Sequence, residues 1–163
     1  MAQADYFLDL DSVEGESQDD DSKMKNKIHV TSFSFGVSNA GTGGVNMGSG
    51  ASKSAVQDLH LTKTMDKSSP NLFIGCCNGK HFTKATFYCR RAGENPQVYL
   101  KYEMTEVFIS SYSTSGAEGG GIAQESVSLN FSKIKMSYYV QNADGTGTTE
   151  IPKTWDIKAN KAT

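Results

Sequence analysis

The chain has 163 residues, of which 37% are hydrophobic and 21% charged. That is one domain of ordinary size, able to bury a core without a metal or disulfide, and too apolar for a disordered chain. A net charge of −2 lacks the basic excess of a phosphate-tracking surface, which excludes nucleic acid as the main partner. No apolar run approaches the roughly 18 residues of a spanning helix, so membrane insertion is not expected.

The first ten residues carry neither a basic n-region nor an apolar h-region, so synthesis and folding in the cytosol without a signal peptide are expected. Eight acids and no base then fall within the first 22 residues: Asp5, Asp9, Asp11, Glu14, Glu16, Asp19, Asp20 and Asp21. The remainder is net basic. Such a run reads as a solvated loop, or as an acidic end that meets a basic surface on a neighbouring copy.

Ile28 and Val30 open a strand whose inward phase changes at Phe33, Phe35 and Val37. Residues 36–55 (GVSNAGTGGVNMGSGASKSA) follow, with six glycines and no strand pattern. A structureless connection of about 20 residues is uncommon in a compact domain and is usually functional or disordered.

Ser69 as cap, Pro70 at the first helical position and Asn78-Gly79 as a left-handed stop predict one short helix. Leu72, Phe73, Cys76 and Cys77 would form its apolar face. So short a helix cannot stand alone in water, and Leu72 and Phe73 are expected to bury against the barrel or an adjacent subunit.

Period-two alternation then dominates. Ala85, Phe87 and Cys89 point one way, as do Val98, Leu100, Tyr102 and Met104, and as do Val127, Leu129 and Phe131. The phase changes again from Met104 to Val107 and Ile109, and from Phe131 to Ile134, Met136 and Tyr138. β-Bulges would supply such changes; so would a second chain covering the outer face. The fold class is mainly β: curved antiparallel sheets forming one β-barrel domain over residues 1–163, with one flanking helix and a long glycine-rich loop.

The chemistry is sparse. Residues 75–81 (GCCNGKH) have one residue too few for a phosphate loop, and His81 stands where Ser or Thr must reach magnesium. Asp9 and Asp11 resemble a calcium loop, but Val13 and Glu14 occupy positions needing an oxygen ligand and a glycine. His29, His60 and His81 sit in separate segments and read as structural histidines. Cys76 and Cys77 are adjacent and do not bridge each other without strain. All three cysteines read as small buried hydrophobes, with a bond from Cys89 to the pair as the alternative. No catalytic, cofactor or metal site emerges.

Several segments, in order, resemble one family. Tyr6-Phe7-Leu8 leads to Gly15-Glu16-Ser17. Ile28-His29-Val30 leads through Ser32-Phe33-Ser34-Phe35-Gly36 and the glycine-rich loop to Val56-Gln57-Asp58-Leu59. Asp66-Lys67-Ser68-Ser69-Pro70-Asn71-Leu72, Gly79-Lys80-His81 and Arg90-Arg91-Ala92-Gly93 follow. Tyr99-Leu100, Val107-Phe108-Ile109-Ser110-Ser111 and Leu129-Asn130-Phe131-Ser132 complete the series. This order is similar to that of the haemolysin-coregulated proteins, the tube proteins of bacterial type VI secretion.

The resemblance implies a β-barrel that assembles into hexameric rings. The rings stack into a hollow tube driven out by a contractile sheath behind a spike, and the tube is itself exported. Its lumen can hold and stabilise effectors. Because the sequence ends soon after Trp155, the form without an added effector domain is expected. Alternation sends Phe33 and Phe35 inward, which makes Ser32 and Ser34 candidates for the lumen wall. Gly41, Thr42, Gly43, Gly44, Val45, Asn46 and Met47 become candidates for contacts between subunits or rings. The rival readings are a monomeric β-sandwich that binds sugar or peptide, and a small metal-dependent barrel enzyme of cupin type.

Overall fold

A computed structural model describes residues 3–40, 53–143 and 147–163. The elements in chain order are β1 (Ala4–Leu10), β2 (Ile28–Val30), β3 (Ser32–Ser34), β4 (Val37–Asn39), β5 (Ser54–Val56), β6 (Leu59–Thr64), α1 (Ser69–Asn78), β7 (His81–Arg91), β8 (Gln97–Ser115), β9 (Gln124–Asn130), β10 (Lys133–Gln141), β11 (Thr148–Asp156) and β12 (Lys161–Ala162).

Every strand pair is antiparallel. β7 pairs with β1 and β8, β1 with β2, β3 with β6, β6 with β9, and β9 with the second half of β8. Because β2 runs straight on into β3, the pairing returns to its start and the strands wrap round a barrel. β10, β11 and β12 extend this sheet from the first half of β8.

Three phase changes were expected from bulges or from a second chain over the outer face, and within the chain each has a different origin. Between β2 and β3 the chain changes partner: the Thr31 N–H donates to Thr62 O at 2.8 Å, handing the strand from β1 to β6. In β8 the turn lies at Glu106, whose φ is 52°. The pairs Lys84 with Thr105 and Phe82 with Val107 keep one register across it, so both strands bend together. Between Phe131 and Ile134 the strand stops, and Ser132 N–H donates to Thr105 O. True register shifts occur elsewhere, at Cys89/Arg90 and between Ile109 and Ser111.

The core holds Leu8, Ile28, Leu59, Phe87, Met104, Val107 and Leu129, all essentially inaccessible. A run of rings joins its walls, with centroids 5.1 Å apart for Tyr6–Phe33, 4.8 Å for Phe33–Phe87 and 5.3 Å for Phe35–Tyr102. Edge and tilted contacts of this kind add to the area they bury.

Helix α1 begins one residue earlier than its cap suggested. Ser68 holds the cap position without a side-chain bond. Ser69 is the first helical residue, and its Oγ accepts from Asp66 N–H at 3.0 Å while Asp66 Oδ1 accepts from Ser68 N–H at 2.9 Å. Gly79, at φ 64°, ends the helix as expected. Gly75 lets the helix approach β8: a Cβ there would lie 3.2 Å from Ile109 Cδ1.

Residues 36–55 are not wholly without strands. Val37, Ser38 and Asn39 pair with Val56, Ala55 and Ser54 to make a separate two-stranded ribbon. The inward phase predicted for Val37 fails, since that side chain is exposed.

Candidate assembly surfaces

Ser32 and Ser34 point away from the core and are exposed, while Phe33 and Phe35 pack into it. The register extends this face across four strands. Ser32 lies opposite Thr62 and Ser34 opposite His60; Thr62 and His60 face Ser126 and Ser128; those face Ser113 and Ser111. His60 Nδ1 sits 2.7 Å from Ser128 Oγ. The outer side of β3, β6, β9 and the end of β8 is therefore a sheet of hydroxyls and one imidazole, with no acid or lysine among these eight positions. Sequence reading found only its first strand. The alternation of Ser111, Ser113, Ser126 and Ser128 was visible, but their alignment depends on non-local pairing.

Leu72 is buried against the barrel, whereas Phe73 is 52% exposed and meets the Tyr112 ring edge-to-face, centroids 6.1 Å apart. Burial on the barrel is thus corrected for Phe73. At ~100° per residue the two neighbours diverge, and Leu72 takes the inward position. Of the cysteines, Cys89 is buried, Cys76 half-buried and Cys77 exposed, and all three are free. Burial pushes the Cys89 thiol up to about 12. The buried reading fails for Cys77. Gly41, Thr42, Gly43, Gly44, Val45, Asn46 and Met47 lie outside the described residues.

Beneath the helix lies a cluster that sequence reading missed. Lys63 Nζ donates to Glu125 Oε2 at 2.6 Å, Asp66 Oδ1 at 3.0 Å and Ser69 Oγ at 3.4 Å. Tyr112 OH donates to Glu125 Oε1 at 2.5 Å. Burial works to raise the Glu125 carboxyl, but the bonds from Lys63, Tyr112 and Ser69 outweigh it and hold it below its usual range. Tyr112 is pushed up to about 12 by burial and by the carboxylate beside it. The signal was available: Lys63 continues the inward phase of Leu59 and Leu61, and Glu125 that of Val127 and Leu129.

The acidic run is largely consumed within the chain. Arg90 is buried, stacks over the Phe7 ring at 4.9 Å, and donates to both Asp19 oxygens and to Asp5 at 3.2 Å. Asp9 meets Lys27 at 2.8 Å, Glu14 meets Lys67 at 3.4 Å, and Glu16 accepts from Lys67 N–H. Residues 11–27 form a strap tied to the sheet. Gly15 is required there, since a Cβ would lie 2.4 Å from Lys27 O. Of the acids expected to meet a neighbour, Asp11, Glu14, Glu16 and Asp20 remain exposed, Glu14 and Glu16 with Lys67 as an internal partner.

A groove of about 800 Å³ runs between the β4–β5 ribbon and β10–β12, lined by Phe35, Val37, Val56, Met136, Trp155 and Ala162 among others. Beyond it β10 and β11 present Met136, Tyr138, Val140 and Ile151 on one exposed face. Among the described residues, no three His, Cys, Asp or Glu side chains converge to hold a metal, and no helix is long and apolar enough to cross a membrane.

Comparison with known proteins agrees with this architecture throughout. The family described as "Type VI secretion system effector, Hcp" matches residues 7–138. Protein hcp1 of Pseudomonas aeruginosa is 39% identical over 158 residues, 96% of each chain. Hcp1 from Salmonella typhimurium is 37% identical with a TM-score of 0.79 over 100% of both chains. A structure described as a type six secretion system protein superposes with a TM-score of 0.90 at 29% identity, covering 99% of this chain and 100% of the other. The chain belongs to the Hcp family, the tube proteins of type VI secretion.

Proposed function

We propose that this chain is the structural, non-catalytic subunit of a type VI secretion inner tube. Copies associate into hexameric rings, and the rings stack into a hollow tube. The tube forms in the cytoplasm within a contractile sheath, carries a spike at its tip, and is exported with effectors in its lumen. The observation that carries this reading is the match to Protein hcp1 of Pseudomonas aeruginosa, over 96% of each chain at 39% identity. Two features support it. The exposed apolar face of β10 and β11 suits a chain that is covered in an assembly, and the hydroxyl sheet led by Ser32 and Ser34 suits a wall that cargo slides past.

Electron microscopy and size exclusion of the purified protein test it together. Annular particles of about six chains are expected for a closed heterologous ring. A single species of 17.6 kDa at all concentrations would sink the reading and favour the monomeric binding module.

A further inference from the structure

We propose that adjacent copies in the ring join by a knob from one helix α1 seated on the exposed β10–β11 face of the next, a contact that rests on the ring reading above. The knob is Phe73 with Ile74, each 52% exposed. The receiving face is Met136, Tyr138, Val140 and Ile151, between 41% and 49% exposed.

The knob has the wrong chemistry for a solvated surface. Residues 68–79 contain no charged side chain, whereas the outer face of a helix on a monomer ordinarily carries charges. The receiving face is equally unusual. Tyr138 pairs with Ile151, and Met136 with Lys153, and the same face continues inward to Ile134 and Trp155, which pack in or against the core. It is barrel interior that extends past the barrel. The phase from Ile134 to Met136 and Tyr138 reads inward in sequence for that reason, and a second chain seated on this face would make it so.

The second chain is best a copy of the same protein, because the two patches suit each other in charge. The knob brings none. Of the lysines lining the groove beside the face, Lys135 already meets Glu103 and Glu150, each at 3.7 Å, which leaves Lys153, the cross-strand partner of Met136 within the face, whose long stem can lie on apolar surface while its ammonium reaches out to water. Docking therefore strands no buried charge.

Nor does a single chain cover its own patches, since Phe73, Ile74 and the β10–β11 residues all stay exposed in it. Phe73 contacts Tyr112 near the end of β8, and Tyr138 pairs with Leu100 near its start. The two points lie on opposite halves of β8, with the turn at Glu106 between them. A contact between two different patches is heterologous, and repetition closes it into a ring where the rotation allows.

The exposed Cys77 thiol on the same helix supplies a probe. In a Cys76→Ser background, a benzophenone maleimide on Cys77 should cross-link assembled protein to a peptide within residues 133–156 of a second copy. Phe73→Asp and Tyr138→Asp should each keep the parent circular dichroism and lower ring content by about tenfold or more. Mixed in equal amounts they should recover dimers, since one intact knob then meets one intact face. If the parent makes rings while both variants assemble like it, or while Cys77 links only to other segments, the proposal falls and the tube reading stands. If Tyr138→Asp spares rings but loses a co-purifying protein, the face is a cargo site and the proposal falls. A parent that makes no rings overturns the functional reading itself.

Discussion

Lys63 Nζ lies 2.6 Å from Glu125 Oε2 inside the barrel, at directly opposed positions of β6 and β9. Both side chains are almost wholly inaccessible. An ammonium has three protons to donate, and Glu125, Asp66 and Ser69 take all of them. The pair therefore joins the sheet to the start of α1, the element that presents Phe73.

Removing one partner of such a pair leaves an uncompensated buried charge. Lys63→Ala should lower unfolding stability by about 3–5 kcal/mol. Lys63→Met combined with Glu125→Leu should recover most of that loss, because well-packed apolar residues often replace a buried ion pair without penalty. Urea unfolding of the two variants measures both. A double variant as weak as the single one would mean that the network's geometry, not its charge, is what the fold needs.

The strap gives the molecule a pH dependence whose sign is fixed. The hydrogen bonds from Arg90 hold the Asp19 carboxyl below its ordinary value of 3.8. A carboxyl lowered by folding adds stability that is complete above its unfolded value and lost as pH falls through the folded one. Asp19→Asn should thus cost about 1–2 kcal/mol at neutral pH. The difference from the parent should shrink as pH falls below 3.8 towards the lowered value of the folded state. Denaturant midpoints taken from pH 7 down to pH 3 follow it, and a gap that widens in acid would reverse the assignment.

Leu72 and Phe73 separate stability from assembly. Leu72→Ala opens a cavity in a packed site and should cost about 2–5 kcal/mol. Phe73→Ala removes a half-exposed ring, and the isolated subunit should lose only about 1 kcal/mol. A thermal shift for Phe73→Ala as large as that for Leu72→Ala would show that the ring is covered even in the single chain.

Much of this was legible in the sequence where the signal is local. Alternation in Ala85–Cys89 and Val127–Phe131, the Pro70 start and the Gly79 stop each depend on neighbours within a few residues. What stayed hidden depends on pairing. Glu106 turns β8 with no glycine to mark it, and the pairs Phe82–Val107 and Lys84–Thr105 on either side of it keep one register. Arg90 looked like an outward residue of its strand until residues 11–27 folded over it. The hydroxyl sheet needs four strands from distant parts of the chain to be seen at all.

The long loop is flanked by β4 and β5. An isolated two-stranded ribbon is marginal in water, and the β4–β5 ribbon lies outside the main sheet. Deleting residues 42–50 should leave a folded subunit and rings of normal size. Stacks of rings in electron micrographs should become shorter or vanish. Tubes as long as the parent's would remove Gly41–Met47 from the contact between rings.

Ser34 tests which face lines the channel. It stands between two core aromatics and opposite His60, on the β3 edge of the hydroxyl sheet. Small neutral groups hold no charged cargo in place, which favours this sheet over the lysine- and glutamate-bearing face of β7, β8 and β10, where Lys84, Lys101 and Lys135 surround Glu103. Ser34→Gln keeps the strand and should spare ring formation. Ser34→Cys in a background with Cys76→Ser and Cys77→Ser gives a unique exposed thiol, because Cys89 is buried. Labelled with a gold-cluster maleimide, its rings should show density within the central hole when viewed end-on. Gold around the outer rim would invert the two faces and place the charged sheet against the cargo.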